Sequence, residues 1–141
     1  MTNTSIRWGL AIVAALLAQI TMIVISVICV AVYSYTIHTG ETQEFYNAFA
    51  SASGPWISLI VGGPVFFLIA RWIRRRAPSA ALGTAMAHAG IYLAIEVIVL
   101  LLWQGDTSGA LPFMIGGFLP KLVGAWLGAN GLAASPHAKA A

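Results

Sequence analysis

Glu96 and Lys121 stand inside two long apolar runs near the end of this chain. A charge at such a place is costly within a bilayer and normally faces protein or water rather than lipid. Counted along helices, Glu96 lies roughly 12 Å below the outer end of its run and Lys121 roughly 16 Å below the outer end of the next. The two are therefore within about one helical turn in depth and could pair across adjacent helices. In one reading Glu96 is a proton or cation site and Lys121 the partner that releases it, as intramembrane carboxylates act in transporters. In the other the pair is static and sets helix register, or Lys121 snorkels to an interface.

His88 and Tyr92 precede Glu96 at four-residue intervals, so the three share one helix face. Imidazole, phenol and carboxylate can each donate or accept a hydrogen bond, which is what a proton relay requires. The same stripe could equally hydrogen-bond neighbouring helices, each such bond being worth about 0.6 to 2 kcal/mol. On the first apolar run Gln19, Ser26 and Tyr33 recur every seventh residue near Cys29, a second polar seam that could meet the His88 stripe.

Glycine marks the candidate packing positions: Gly62 and Gly63 beside Pro64, then Gly116, Gly117, Gly124 and Gly128 around Pro120. Gly124 and Gly128 form a small-xxx-small pair that lets two backbones approach closely. Pro64 and Pro120 deprive the Ile60 and Gly116 carbonyls of their helical donors, so both helices are expected to bend. The pairs Gly62-Gly63 and Gly116-Gly117 are a weak internal echo of one hairpin in the other.

Other chemistries lack their residues. A single cysteine, Cys29, builds neither an intrachain disulfide nor a CxxC motif. His38 at the outer edge of its run and His88 in the inner half of another are poorly matched in depth for a two-histidine haem site. Glu41, Glu44 and Asp106 are not spaced as a metal cluster, and the nucleophile elbow, HExxH and GK[ST] motifs are missing. No cofactor, no metal and no enzymatic activity are expected.

The elements that must position these groups follow from composition. Of 141 residues 60% are hydrophobic and 8% charged, against about a quarter charged in soluble domains. A water-soluble fold is thereby excluded. From Trp8 to Ile37 there is no charge, and about 20 apolar residues suffice to cross a bilayer core. Spans are predicted at about 8–37, 56–73, 80–103 and 110–132, with a flexible tail over 133–141. In the outer connection 38–55, Phe45, Ala48, Phe49 and Ala52 share a helical spacing. That segment is either a short helix lying on the membrane surface or an ordered loop over the bundle mouth.

Arg7, the cluster Arg71 to Arg76 and Lys139 fall on one side of a four-span arrangement, and Glu41, Glu44 and Asp106 on the other. Positive residues are retained in the cytoplasm, so both termini are expected there. Trp8 and Trp72 then mark the inner interface and Tyr33, Tyr35, Trp56 and Trp103 the outer one. The expectation is an all-α, integral membrane four-helix up-down-up-down bundle of a bacterial-type inner membrane. Its net charge of +3 reflects span ends and not nucleic-acid binding. Two functions remain open: a small transport or permeation protein, homo-oligomeric through the glycine face of its fourth helix, or a non-catalytic subunit or assembly factor of a larger membrane complex. Partners would be the lipid bilayer and further membrane subunits.

Overall fold

The computed structural model of the protein describes residues 5–102 and 111–131. Trp103, Asp106 and the tail 133–141 with Lys139 lie outside them. Four α-helices make up almost all of the described chain: α1 Trp8–Thr36, α2 Gln43–Arg76, α3 Ala81–Leu102 and α4 Leu111–Asn130, with a single 3-10 turn, Pro78–Ala80, ahead of α3. Among the described residues there is no strand.

Three of these helices are long and apolar enough to cross a membrane: α1, α2 and α3 with the turn before it. Side-chain placement argues the same way. On α1 the inward residues are Ala11, Ala14, Ala15, Ala18 and Met22, while Ile12, Val13, Leu16, Ile20, Val24 and Val27 are exposed. Bulky aliphatics outside and alanines inside invert the order of a soluble bundle. A soluble monomer rarely exposes apolar patches above a few hundred Å², whereas in lipid the alanines serve close helix approach and the aliphatics meet acyl chains. The protein is thus a helical membrane protein.

The N-terminus of α1 is fastened to the start of α3. The Arg7 backbone N–H donates to Thr84 Oγ1 at 3.2 Å, Thr84 is fully buried, and Ile6 packs over Gly83. At the other end, Tyr33 of α1 stacks on Phe49 with ring centres 3.7 Å apart and on Phe45 at 6.2 Å. Between them the chain turns at Gly40, whose φ of 81° is open to glycine. The Tyr46 hydroxyl clamps this turn, donating to the His38 carbonyl at 2.6 Å and accepting from the Glu41 N–H at 3.2 Å.

The segment 41–53 is neither a separate surface helix nor a loop over the bundle mouth. Thr42 caps a helix that runs unbroken from Gln43 through Pro55 and Pro64 to Arg76. At 1.5 Å per residue α2 is about 51 Å long, well beyond a hydrocarbon core of about 30 Å. It is longer than one span requires, and its first turns are held by the Tyr33 stack. Pro55 frees the Ser51 carbonyl, but small neighbours at Ala52, Ser53 and Gly54 leave that carbonyl accessible, and the helix continues.

Thr42 Oγ1 accepts the Phe45 N–H at 3.3 Å, an exposed cap. Thr42→Ala should remove about 1 kcal/mol from the first turn of α2. Hydrogen exchange is expected to accelerate at residues 43–46 and stay unchanged in 62–73; equal protection in both proteins would show the cap to be idle.

The closest pairing joins α2 to α4, which are not neighbours in sequence. Ser58 lies beside Gly117, Gly63 beside Gly124 and Phe67 beside Gly128, so the two helices run in the same direction. A Cβ on Gly124 would overlap the Gly63 carbonyl oxygen, and one on Gly128 would overlap that of Phe67 and sit 2.8 Å from Ala70 Cβ. Contact at this range leaves Cα–H groups facing carbonyl oxygens, an arrangement typical of tightly packed helices. Gly131, with φ of 71°, ends α4 by donating its N–H to the Leu127 carbonyl at 3.0 Å.

Candidate functional site

Lys121 and Glu96 form a bidentate ion pair between α4 and α3. The ammonium Nζ lies 2.7 Å from Glu96 Oε1 and 2.8 Å from Oε2. Lys121 is sealed at 1% exposure while Glu96 keeps 18%. A lysine this deep is not snorkelling. Of the two, the carboxylate is the group that keeps some exposure.

The lysine stem fits because residue 62 has no side chain. A Cβ on Gly62 would lie 3.0 Å from both Lys121 Cγ and Cε, so α2 yields its surface to the lysine crossing toward α3. The ammonium also sits 4.9 Å from the ring centre of Tyr92 and 5.9 Å from that of Phe118. Cations within about 6 Å of an aromatic face are attracted by its quadrupole. Two rings and one carboxylate therefore surround the charge.

Tyr92 and His88 continue the same α3 face downward and are buried, at 2% and 0% exposure. Phe66 of α2 joins them: its ring centre is 4.9 Å from Tyr92 edge-on and 4.8 Å from His88. His88 Nδ1 lies 2.9 Å from the Ala85 carbonyl. A carbonyl can only accept, so Nδ1 carries a proton; in the neutral ring Nε2 is then the free acceptor. Nε2 is buried without a hydrogen-bond partner among the described residues. Leaving such a group unsatisfied costs about 1 to 3 kcal/mol.

The seam on α1 is divided between neighbours. Tyr33 stacks on α2, and Ser26 lines an apolar groove of about 470 Å³ between α1 and α2 together with Ser34, Ser53 and Ile57. Gln19 turns inward, its buried Oε1 without a hydrogen-bond partner among the described residues. Gln19 stands as many residues beyond Arg7 as Glu96 stands beyond Thr84, which puts both roughly 18 Å along from the Arg7–Thr84 contact. Gln19 is thus level with Glu96, and the His88 stripe meets the alanine face of α1 lower down.

The glycines are used unequally. Gly62 admits Lys121; Gly63, Gly124 and Gly128 set the α2–α4 approach; Gly117 makes only ordinary contact with Ser58, 3.6 Å from its Cβ position; Gly116 faces open space. Among the described residues Gly116 thus meets no neighbouring helix. Pro64 and Pro120 are carried inside continuous helices, and the Pro120 carbonyl lies 3.2 Å from the Cβ position of Gly63. The α4 glycine face is covered by α2, so an oligomer contact through that face would have to displace α2.

Phe66, Phe118 and Gly62 belong to the site yet do not stand out in sequence. Phe118 had a signal, being one turn before Lys121 on the same helix. Nothing in the spacing of Phe66 separates it from Phe67 beside it. His38 lies apart in the aromatic cluster, 5.2 Å from Tyr33 and 5.3 Å from Phe45.

No protein-family model, curated protein or solved structure matches the chain. Fold and site define its class directly: a small all-helical membrane protein with an ion pair buried among its helices.

Proposed function

We propose that the chain is a four-span, up-down-up-down bundle and acts as a small proton- or cation-coupled transport or permeation protein, most simply as a homo-oligomer. The coupling group is Glu96. The observation that carries this reading is the asymmetry of the pair: Lys121 is sealed and Glu96 is partly open. A proton or cation arriving at the carboxylate competes directly with the ammonium. Protonation leaves Lys121 with the ring faces of Tyr92 and Phe118, which offset part of the lost attraction. His88 Nε2, unpartnered and on the same face, is the next acceptor along the stripe.

The alternation of spans rests on neighbouring ends: Arg7 with Thr84, Tyr33 with Phe49, and the common direction of α2 and α4. The arginines at the end of α2 favour a cytoplasmic position for that end. Both termini are then cytoplasmic and the membrane is a bacterial-type inner membrane. One observation favours a second reading, a non-catalytic subunit or assembly factor of a larger complex. Both carboxylate oxygens are engaged by the lysine, as in a latch holding α3 to α4.

Glu96→Gln in proteoliposomes with an internal pH indicator separates the two. Transport predicts a measurable flux from the wild type and, per molecule of reconstituted protein, at least a tenfold loss of proton- or cation-dependent flux in the variant. Poor accumulation in the membrane, together with no flux from the wild type, would support the subunit reading.

A further inference from the structure

The arginines that close α2 do more than mark a membrane side. Arg71, Arg74 and Arg75 line a cavity of about 450 Å³ with Phe67, Pro78 and Gly128. Their spacing, i, i+3 and i+4, puts all three on one helix face. Like charges so placed repel one another. Among the described residues none of the three has a carboxylate within ion-pair distance, the one ion pair there being Lys121 with Glu96. Among the described residues the cluster is therefore a concentrated positive field without an acid to balance it.

The fourth arginine of the cluster is used differently. The Arg76 guanidinium lies 5.5 Å from the Trp72 ring centre, away from the cavity. Arg74 instead folds over Gly131, where a Cβ would collide with the guanidinium. The absence of a side chain at Gly131, and the αL backbone that ends α4 there, let Arg74 lie at the cavity wall. Gly128 leaves that wall open one turn deeper.

We propose that this cavity binds a phosphate-bearing anion, either the headgroup of an anionic phospholipid or free phosphate. Guanidinium groups suit phosphate because their planar donors pair with two oxygens at once. The volume is within the range of small-ligand sites, about 300 to 1,000 Å³. Its lining changes from arginine at the helix end to Phe67 one turn further into the bilayer. A headgroup with an acyl chain matches that gradient, and basic pockets between membrane helices accept such lipids. The site is separate from the Glu96–Lys121 pair and stands whether or not that pair transports anything.

Native mass spectrometry on the full chain tests it, with phosphatidylglycerol and phosphatidylcholine of equal chain length as probes. Phosphatidylglycerol should be retained preferentially. Arg74→Gln and Arg71→Gln should each lower its retention about fivefold, the weight of one basic residue at a membrane surface. Arg76→Gln removes the same charge outside the cavity and should change retention less than twofold. Inorganic phosphate in millimolar excess assigns the source. Displacement of the lipid points to the free anion as natural ligand, and persistence points to the headgroup. Equal retention of the two lipids, or an Arg76→Gln loss as large as that of Arg74→Gln, overturns the proposal. Thermal unfolding of each variant in detergent confirms that these exposed substitutions leave the fold in place.

Discussion

Gly128→Ala should destabilise the protein by about 2 to 3 kcal/mol, the upper part of the range for forcing a methyl into filled space. The added carbon has nowhere to go. It meets the Phe67 carbonyl oxygen and the Ala70 methyl, and neither backbone nor alanine can rotate away as a long side chain could. Gly124→Ala meets the Gly63 carbonyl in the same way. Both substitutions push α4 off α2, and because Lys121 crosses between them, the displacement also stretches the Glu96 contacts. Gly116→Ala is the control: nothing lies within 4 Å of its Cβ position. Alanine exceeds glycine in helix propensity by about 0.8 to 1 kcal/mol, so this variant should unfold at the wild-type temperature or above it. Thermal unfolding in detergent, followed by tryptophan fluorescence, reads all three. If Gly128→Ala unfolds with Gly116→Ala, α2 and α4 are not in backbone contact.

That contact also explains what the sequence could and could not reveal. Freedom from charge over Trp8 to Ile37 is enough to require a helix in lipid, because only a helix satisfies its own backbone there. The all-α fold and its apolar spans were legible for this reason. Pairing was not. Gly124 and Gly128 announce a close approach, yet their spacing contains nothing about the partner, which is a parallel helix of the same chain rather than a second copy. Gly116 and Gly117 look equivalent to them in sequence and do different things, because the α2 surface opposite them lies further away. The second span was expected to begin at about residue 56, whereas the helix already starts at Gln43, where Tyr33 stacks on Phe45 and Phe49.

At the polar site the legible part was the ionisable residues, since charge in an apolar run is conspicuous. Depth counting placed Glu96 and Lys121 within reach of each other, and they meet at 2.7 Å. What surrounds them was hidden. Phe118 and Phe66 are ordinary membrane residues until their rings are seen beside an ammonium and an imidazole. Gly62 reads as packing but serves as clearance for the lysine stem.

Lys121→Met should cost about 3 to 5 kcal/mol, because it leaves a carboxylate without its counter-ion in a site of low dielectric. Methionine keeps most of the length and volume of the stem beside Gly62, so the loss reports charge rather than a cavity. Combining it with Glu96→Gln removes both charges and both desolvation penalties, and the double variant should recover to within about 1 kcal/mol of wild type. A cycle of this kind isolates the coupling between the two groups. Flux measured on the same four proteins then carries the functional argument. A latch needs only that α3 and α4 be held together, so the stable double variant would regain whatever activity the wild type has. A coupling carboxylate is needed for its own protonation, so the double variant would fold, accumulate and remain silent. Near-wild-type stability of Lys121→Met alone would mean that Glu96 takes up a proton as soon as its partner is gone; unfolding at neutral pH would then release that proton, whereas a carboxylate left charged would exchange none.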